Sequence, residues 1–215
     1  MGSTPTSFRH YFRIFGVGDR AVPDAYVQGI NASGSSGAIQ YGKAIVELPR
    51  IWKTDDGSLF TLRQLAESDV PALTAFIRGL SFAARYFRFG DADYDPGEDN
   101  ALRACMLGPE QGLHLIVVTH QADGDTVIGS ARYVTQPDKT RCEFVIVVAD
   151  HWKHHGVGHQ LMGALFDSAK SQGIHTMYGR ILESNRDMIE FVRGFGFDVV
   201  DSPQGNWLQI ATIKL

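Results

Sequence analysis

An apolar strand, a glycine-containing loop and an amphipathic helix follow one another in the middle of the sequence. The strand is the run CEFVIVV, and the loop reads HWKHHGVG over residues 151–158. The helix is expected to begin near Gly158 and to end at Gly173, with one apolar stripe along it (Leu161, Met162, Leu165, Phe166, Ala169). Because glycine lets the backbone turn tightly, the unit predicts a strand whose end faces the unpaired N–H groups of a helix N-terminus.

The loop is compatible with two kinds of ligand. Four of its nine residues from 151 to 159 are histidine (His151, His154, His155, His159). His151 and His155 are four residues apart, like the two zinc-binding histidines of a zinc-protease helix. That pattern needs a glutamate directly after the first histidine, where Trp152 stands. We therefore expect no metal. Backbone N–H groups and the positive end of a helix dipole suit a phosphate, and Lys153 adds positive charge. A plain glycine-rich corner with surface histidines is the alternative.

The order of the other elements predicts a mixed α/β domain. Strands are expected at SLFTLRQL, at three successive antiparallel runs (HLIVVTH, TVIGSARYVTQ, RCEFVIVV), at IHTMYGRIL and at the terminal FGFDVV and NWLQIATIKL. Helices are expected after Pro71, over LSFAARYFRFG, in the central unit, and from Ser184 to Gly194. Residues 1–50 are rich in Gly and Ser and lack a sustained period, so we expect a partly flexible extension there and one domain over 51–215.

Composition excludes several classes of protein. A net charge of −4 and a pI near 6.0 argue against nucleic acid as a partner, since a phosphate-binding surface is normally basic. No apolar run approaches the length of about 20 residues that spans a membrane, and the N-terminus is unlike a signal peptide. With only two cysteines and no CxxC pair, we expect a cytoplasmic protein.

Two motifs resemble those of the GNAT (Gcn5-related) N-acetyltransferase superfamily. VVADHWKHHGVGHQLM resembles motif A, a Gln/Arg-x-x-Gly-x-Gly/Ala loop, with Lys153, Gly156 and Gly158 at the three marked positions. The resemblance implies that the pyrophosphate of acetyl-CoA, the expected co-substrate, is held by one continuous segment (Lys153, His154, His155, Gly156, Val157, Gly158, His159). ESNRDMIEFVRGFGF is similar to motif B, in which Asn185 begins a helix beside the pantetheine arm. Asn185 is equally well explained as a helix cap.

The resemblance also implies a fold. It is an α/β (α+β) GNAT fold with a central mixed, mostly antiparallel sheet of six to seven strands and about four flanking helices. The family's fourth and fifth strands splay apart to admit the cofactor, whose pantetheine arm pairs with the backbone of the fourth strand. Here that strand segment is Ile146, Val147 and Val148.

Glu143 is the candidate catalytic residue. It is an acid in an otherwise apolar strand, and bacterial protein-lysine acetyltransferases, often fused to acyl-CoA-synthetase-like domains, carry a catalytic glutamate in a similar segment. The resemblance implies a general base acting through water in a direct attack. A solvated carboxylate at a strand end is the alternative. Cys142 is interpreted as a small buried residue rather than an acyl carrier. Phe191 stands where many members of the family have a tyrosine that protonates the leaving thiolate. Water or Tyr178 is able to fill that role here.

The acceptor is expected to be a primary amine. LSFAARYFRFG resembles an LSPESRYxRF-like segment of the protein-lysine subgroup, which implies a lysine side chain of a protein. A small-molecule amine is the alternative within the same chemistry. A catalytically weak sensor that binds acyl-CoA is the alternative from another class, and a homodimer is left open.

Overall fold

The computed structural model describes residues 47–54, 57–97, 107–121 and 124–215. Most of the predicted extension, residues 1–46, lies outside these ranges, so the division at residue 50 stays a prediction. The helices of the described ranges are α1 (Val70–Gly79), α2 (Phe82–Phe89), α3 (Val157–Ser171) and α4 (Arg186–Gly194). Short 3₁₀ turns at Glu67–Asp69 and Asp150–Trp152 precede α1 and the loop that leads to α3.

One mixed sheet forms the centre of the molecule. Its strands are β1 (Arg50–Lys53), β2 (Leu59–Gln64), β3 (Gly112–Gln121), β4 (Gly124–Thr135), β5 (Arg141–Val148), β6 (Thr176–Leu182), β7 (Asp198–Ser202) and β8 (Gly205–Lys214). They lie in the order β1-β2-β3-β4-β5-β6-β8-β7, and every neighbouring pair is antiparallel except the parallel pair β5–β6. This confirms the predicted fold class. The described sheet has eight strands rather than six to seven because the four-residue β1, too short for a clear period, adds an edge beside β2.

The sheet opens between β5 and β6, the strands that correspond to the family's fourth and fifth. These strands have eight and seven residues, yet they pair only at Arg141–Thr176, Cys142–Met177 and Glu143–Tyr178. Beyond Glu143 they diverge, as the predicted splay requires. The open end of this wedge lies toward the loop that follows Val148.

Helices cover both faces of the sheet. Apolar residues of α3 and α4 pack on one face, around Phe144, and those of α1 pack on the other, around Ile116. On β5 the two faces alternate with a period of two, so Phe144 and Glu143 point to opposite sides. The carboxylate of Glu143 therefore lies on the α1 and α2 side of the sheet.

Two predicted helix starts shift slightly. α3 begins at Val157, one residue before Gly158 and so close to the predicted start, since Gly156 has a left-handed φ of 77° and serves as its N-cap. α4 begins at Arg186 rather than Ser184, because the side chain of Asn185 caps it. No helix in the described part of the chain is long and apolar enough to cross a membrane.

Candidate functional site

A cavity of about 540 Å³ fills the wedge between β5 and β6. Its walls come from six parts of the chain: α2, β5, the loop before α3, the first turn of α3, β6 and α4. The lining residues include Phe87, Arg88, Ile146, Val147, Val148, Lys153, His154, Gly156, Gly158, His159, Arg180, Asn185 and Phe191. Most of the residues predicted to bind the cofactor are therefore brought together around one space.

The glycine loop closes one end of the cavity. α3 begins at Val157, so the N–H groups of its first turn have no partner within the helix and point back toward the loop. At Gly158 a Cβ atom would lie 3.2 Å from the ring of Phe191, which shows how closely α4 approaches the start of α3. His154 also has a left-handed φ, of 65°. This arrangement suits an anion at the N-terminus of a 15-residue helix.

Side chains of the loop are used differently from the prediction. The ammonium of Lys153 donates to the carboxylate of Asp150 at 2.5 Å, so its charge is partly neutralised in this structure. The side chains of His155 and Val157 do not line the cavity. His155 lies against Trp152 and is exposed, while Val157, the first residue of α3, is buried in the core. The backbone of the loop therefore fits the predicted role better than its side chains do.

Three of the four loop histidines pack against aromatic rings. His151 and His155 contact the ring of Trp152 from two sides, and His159 packs between Phe191 and Phe195. Within the described ranges no group of three or more His, Cys, Asp or Glu is placed to hold a metal ion.

The edge of β5 that faces β6 borders the cavity. Residues 146–148 line it, and the β5–β6 ladder has already ended at Glu143. Backbone groups on this edge therefore face the open wedge rather than a neighbouring strand. On its other edge β5 remains paired with β4 through Val148, which keeps the strand straight and in register.

Glu143 lies where the wedge closes; its side chain does not line the cavity, but that of Arg180, which contacts it, does. Its Oε1 accepts a hydrogen bond from Arg180 at 2.5 Å, and the hydroxyl of Tyr178 lies 3.5 Å from Oε2. Burial raises the pKa of the Glu143 carboxyl above its ordinary value, although the charge and hydrogen bond of Arg180 oppose this shift. A carboxylate with a raised pKa is a better proton acceptor than an exposed one.

The thiol beside Glu143 is unsuited to nucleophilic attack. Cys142 is fully buried on the opposite face of β5, and burial raises the pKa of its thiol to about 12. Since the thiolate is the reactive form, Cys142 acts as a small apolar residue of the core.

Asn185 and Phe191 bring α4 to the cavity. The side-chain oxygen of Asn185 accepts a hydrogen bond from the backbone N–H of Met188 at 3.4 Å, and the residue also lines the cavity. Both interpretations of Asn185, helix cap and ligand contact, are thus compatible with its position. Phe191 lines the cavity as well but has no proton to donate.

The sequence did not single out the arginines near Glu143. Arg180 pairs with it directly, while Arg88 on α2 and Arg132 on β4 are close enough to interact with its charge. The available signal was the presence of arginine inside two apolar strands, in SARYV and YGRIL. The presence of an arginine in a strand does not show which carboxylate it approaches, because that depends on the register between neighbouring strands.

A splayed sheet with a glycine loop at its open end and a carboxylate at its closed end defines an acyltransferase of the acetyltransferase type. Residues 76–197 match the acetyltransferase (GNAT) family, more than half of the chain. The protein belongs to this family and is an N-acetyltransferase. The narrower protein-lysine subgroup and the link to synthetase fusions are not part of this assignment.

Two relatives and two solved structures are similar to the chain. It is 27% identical over 143 residues to acetyltransferase PA5475 of Pseudomonas aeruginosa, covering 66% of this chain and 77% of that protein. It is 30% identical over 110 residues to an L-methionine sulfoximine/L-methionine sulfone acetyltransferase of Pseudomonas paraeruginosa, covering 46% and 63%. The GNAT domain of S. lividans PAT superposes with a TM-score of 0.68 at 19% identity, over 78% of this chain and 97% of that one. The structure of yncA from Salmonella typhimurium with acetyl-CoA gives a TM-score of 0.54 at 22% identity, over 73% and 92%.

Proposed function

We propose that the protein transfers an acetyl group from acetyl-CoA to a primary amine by direct attack, with Glu143 as general base. One observation carries the proposal. A single cavity runs from the N-terminus of α3, where a phosphate fits, along the open edge of β5 to the place where β5 and β6 meet beside Glu143.

The loop and β5 form a fitting site for acetyl-CoA. Backbone N–H groups from Lys153 to His159 and the dipole of α3 would hold the pyrophosphate, and the absence of a side chain at Gly158 leaves room beside Phe191. Ile146, Val147 and Val148 would pair with the pantetheine arm through the cavity-facing edge of β5, and Asn185 would contact it from α4. The similar yncA structure was solved with acetyl-CoA, which supports this co-substrate.

The chemistry assigns a proton-accepting role to Glu143. Acetyl-CoA supplies a thioester; the amine nitrogen forms a bond to its carbonyl carbon, the carbon–sulfur bond breaks, and CoA leaves as thiolate. Glu143, which lies behind the cavity wall beside Arg180, takes the proton lost by the amine through water. A cavity-facing backbone N–H of β5 would donate to the carbonyl oxygen as negative charge develops there.

Protonation of the leaving thiolate needs no residue at position 191. A thiol of CoA has a pKa near that of cysteine, about 8.5, so the thiolate leaves without a dedicated acid. Water is the proton donor that we favour, because the hydroxyl of Tyr178 donates to Oε2 of Glu143, the proposed base, at 3.5 Å.

For the acceptor, the resemblance of LSFAARYFRFG favours a protein lysine. That segment forms α2, and Ala84, Phe87 and Arg88 of this helix line the cavity on the Glu143 side. A small amine is the second candidate. It is favoured by the relative whose name states that it acts on L-methionine sulfoximine. We place the reaction in the cytoplasm, as the cysteine usage predicts.

Calorimetric titration with acetyl-CoA tests the cofactor site. Gly158→Glu and Gly158→Gln add side chains of equal size, but only the first adds a negative charge beside the proposed pyrophosphate. We expect Glu to weaken binding about 10-fold more than Gln, and the difference to shrink with salt. Acetyl-pantetheine, which lacks the pyrophosphate, should not distinguish the two variants. No binding of acetyl-CoA by the wild type would refute the proposal.

Turnover of the Glu143→Gln variant tests the base. We expect at least about 100-fold slower acetylation of any amine that the wild type accepts, with an acetyl-CoA affinity close to that of the wild type. Unchanged turnover would exclude Glu143 as the base. Tight binding of acetyl-CoA without acetylation of lysine peptides or small amines by the wild type would favour an acyl-CoA sensor instead.

A further inference from the structure

Three arginines from three different elements surround Glu143. Arg180 on β6 contacts its carboxylate directly. Arg88 on α2 and Arg132 on β4 lie close enough to interact with it electrostatically, and they also repel each other. Arg88 and Arg180 line the cavity, whereas Arg132 is opposite Val145 of β5, a lining residue, and is only 8% exposed.

The positive charges of this cluster exceed the negative ones. Within the described ranges, Glu143 is the acidic side chain that pairs with the cluster, and it pairs with Arg180. Over the same ranges Arg88 and Arg132 take part in no ion pair; Arg88 stacks on the ring of Phe89 at 4.7 Å. Three guanidinium groups against one carboxylate leave an excess of two positive charges.

Burial makes this excess unfavourable without a counter-ion. Burial, followed by repulsion from Arg132, lowers the pKa of Arg88 to about 9, and burial also lowers the pKa of Arg132. Arginine side chains nevertheless stay protonated in proteins at neutral pH. The Nε atom of Arg132 has no hydrogen-bond partner among the described residues. Buried charges that lack partners cost stability, so a negatively charged ligand would be bound strongly here.

The cluster is too far from the glycine loop to serve the pyrophosphate of acetyl-CoA. Glu143 precedes Val148 by five residues on an extended strand, which is about 17 Å at roughly 3.3 Å per residue. The arginines instead lie at the closed end of the wedge, on the side of the sheet that α2 covers. An anion at this place would belong to the acceptor.

We propose that Arg88 and Arg180 bind a carboxylate group of the amine acceptor, and that buried Arg132 strengthens the positive field behind them. This proposal rests on the proposed function and adds the chemical class of the acceptor. The same field would favour the neutral amine over the ammonium, which is the form that attacks. Two acceptors offer this chemistry: a free amino acid with its α-carboxylate, and a protein lysine that follows or precedes an acidic residue.

Steady-state kinetics with matched acceptors test the proposal. L-leucine and L-leucinamide differ in the carboxylate, and capped peptides containing Lys-Glu or Lys-Gln differ in the acidic neighbour. Each kcat/KM is divided by the fraction of the acceptor whose amine is neutral at the assay pH. This correction is needed because the amine of an amino acid amide has a lower pKa than the amine of the free amino acid. We expect the wild type to prefer the acid over its amide by about 10-fold or more, within whichever pair it acetylates. The pair that responds identifies the source of the carboxylate.

The variants Arg88→Met and Arg180→Met should lower the ratio of kcat/KM for the acid to kcat/KM for its amide toward one, mainly by raising KM for the acid. Arg88→Lys should retain part of the preference for the acid, because lysine keeps the charge but not the two-pronged geometry. Arg78→Met is the matched control, since Arg78 loses the same charge on the exposed side of α1, where it pairs with Asp95. The control should keep the wild-type preference.

Inhibition of the wild type provides a test that needs no variant. 4-Methylpentanoate has the leucine skeleton without the amine and should compete with the acceptor, while 4-methylpentanamide should compete at least about 10-fold less well. Equal use of acids and amides by the wild type would overturn the proposal, as would an unchanged preference in folded Arg88→Met. Absence of any acetylation would instead refute the proposed function, so the two failures are distinguishable.

Discussion

Glu143 and Arg180 form a half-buried ion pair at the place where the β5–β6 ladder ends. The two side chains are 15% and 19% exposed, and Oε1 and the guanidinium nitrogen are 2.5 Å apart. The residues are 37 positions apart in sequence and come together because β5 and β6 run parallel with Glu143 paired to Tyr178. The pair joins the proposed base to the proposed anion site, so the pKa of one depends on the charge of the other.

The ion pair predicts how activity responds to pH. Glu143 must lose its proton to act as base, so kcat/KM should rise with pH through its pKa, which burial places above the ordinary value. This rise is the acid limb of the pH–rate profile. Arg180 favours the charged carboxylate, and Arg180→Met should therefore move the acid limb to higher pH. In Glu143→Gln the limb should disappear.

The position of the limb, rather than the height of the curve, is the quantity to measure, because Arg180→Met also affects acceptor binding. Arg78→Met, which is remote from Glu143, should leave the limb in place. A limb that stays unchanged in Arg180→Met would contradict the electrostatic coupling of the two residues.

Cys142 is predicted to be chemically inert in the folded protein. A thiol pKa of about 12, instead of about 8.5, lowers the thiolate fraction at neutral pH by about 3000-fold. Alkylation by iodoacetamide, followed by peptide mass mapping, should modify Cys142 rapidly only after denaturation. Cys142→Ala should retain turnover within about 3-fold. Loss of turnover in a folded Cys142→Ala protein would restore the possibility of an acyl-enzyme step.

The sequence predicted the architecture because its signals are local. The apolar runs, the glycines of the loop and the capping Asn185 each act over a few residues, and the structure places them as expected. The glycine loop is predictable for the same reason, since a strand, a left-handed Gly156 and a helix N-terminus are adjacent in the chain.

The charged part of the site was less predictable. Lys153 was expected to serve a phosphate, yet Asp150, only three residues earlier, holds its ammonium. That pair was visible in the sequence as a local spacing. The contacts of Glu143 were not, because they depend on the register between β5 and β6 and on the packing of α2 over the sheet. Periodicity alone contains neither.

Gly179 is predicted to be essential for the floor of the wedge. A Cβ atom there would lie 2.5 Å from the ring of Phe144, which is buried and packs against Phe197. Gly179→Ala should therefore reduce the free energy of unfolding by about 2 kcal/mol. Urea denaturation measures this cost.

A double-mutant cycle identifies the cause. In a Phe144→Leu background the smaller side chain leaves space, so most of the cost of Gly179→Ala should vanish. Gly163→Ala is the control: no atom lies within 4 Å of its Cβ position on α3, and alanine should stabilise the helix by up to about 1 kcal/mol. Equal costs of Gly179→Ala in both backgrounds would show that the ring is not responsible.

The start of α1 is predicted to depend on the ionisation of Asp69. Its carboxylate accepts hydrogen bonds from Arg63 at 2.5 and 2.7 Å and from the backbone N–H of Ala66 at 2.9 Å. Burial would raise the pKa of Asp69, but these hydrogen bonds and the charge of Arg63 hold it below its usual range. A carboxyl with a lowered pKa in the folded state stabilises the protein above its unfolded pKa of about 3.9, and this contribution is lost as the pH falls through the folded value.

Asp69→Asn should therefore lower the free energy of unfolding by about 2 kcal/mol near neutral pH. The difference between wild type and variant should be smaller at about pH 3, below the unfolded pKa of about 3.9, because the unfolded chain then binds a proton that the folded carboxylate resists. Asp138→Asn is the control, because Asp138 also pairs with an arginine, Arg141, but at an exposed position where solvent weakens the interaction. Urea unfolding at both pH values should show a smaller effect for Asp138→Asn. Losses that are equal for the two variants, or that do not change with pH, would contradict the role assigned to the Arg63–Asp69 pair.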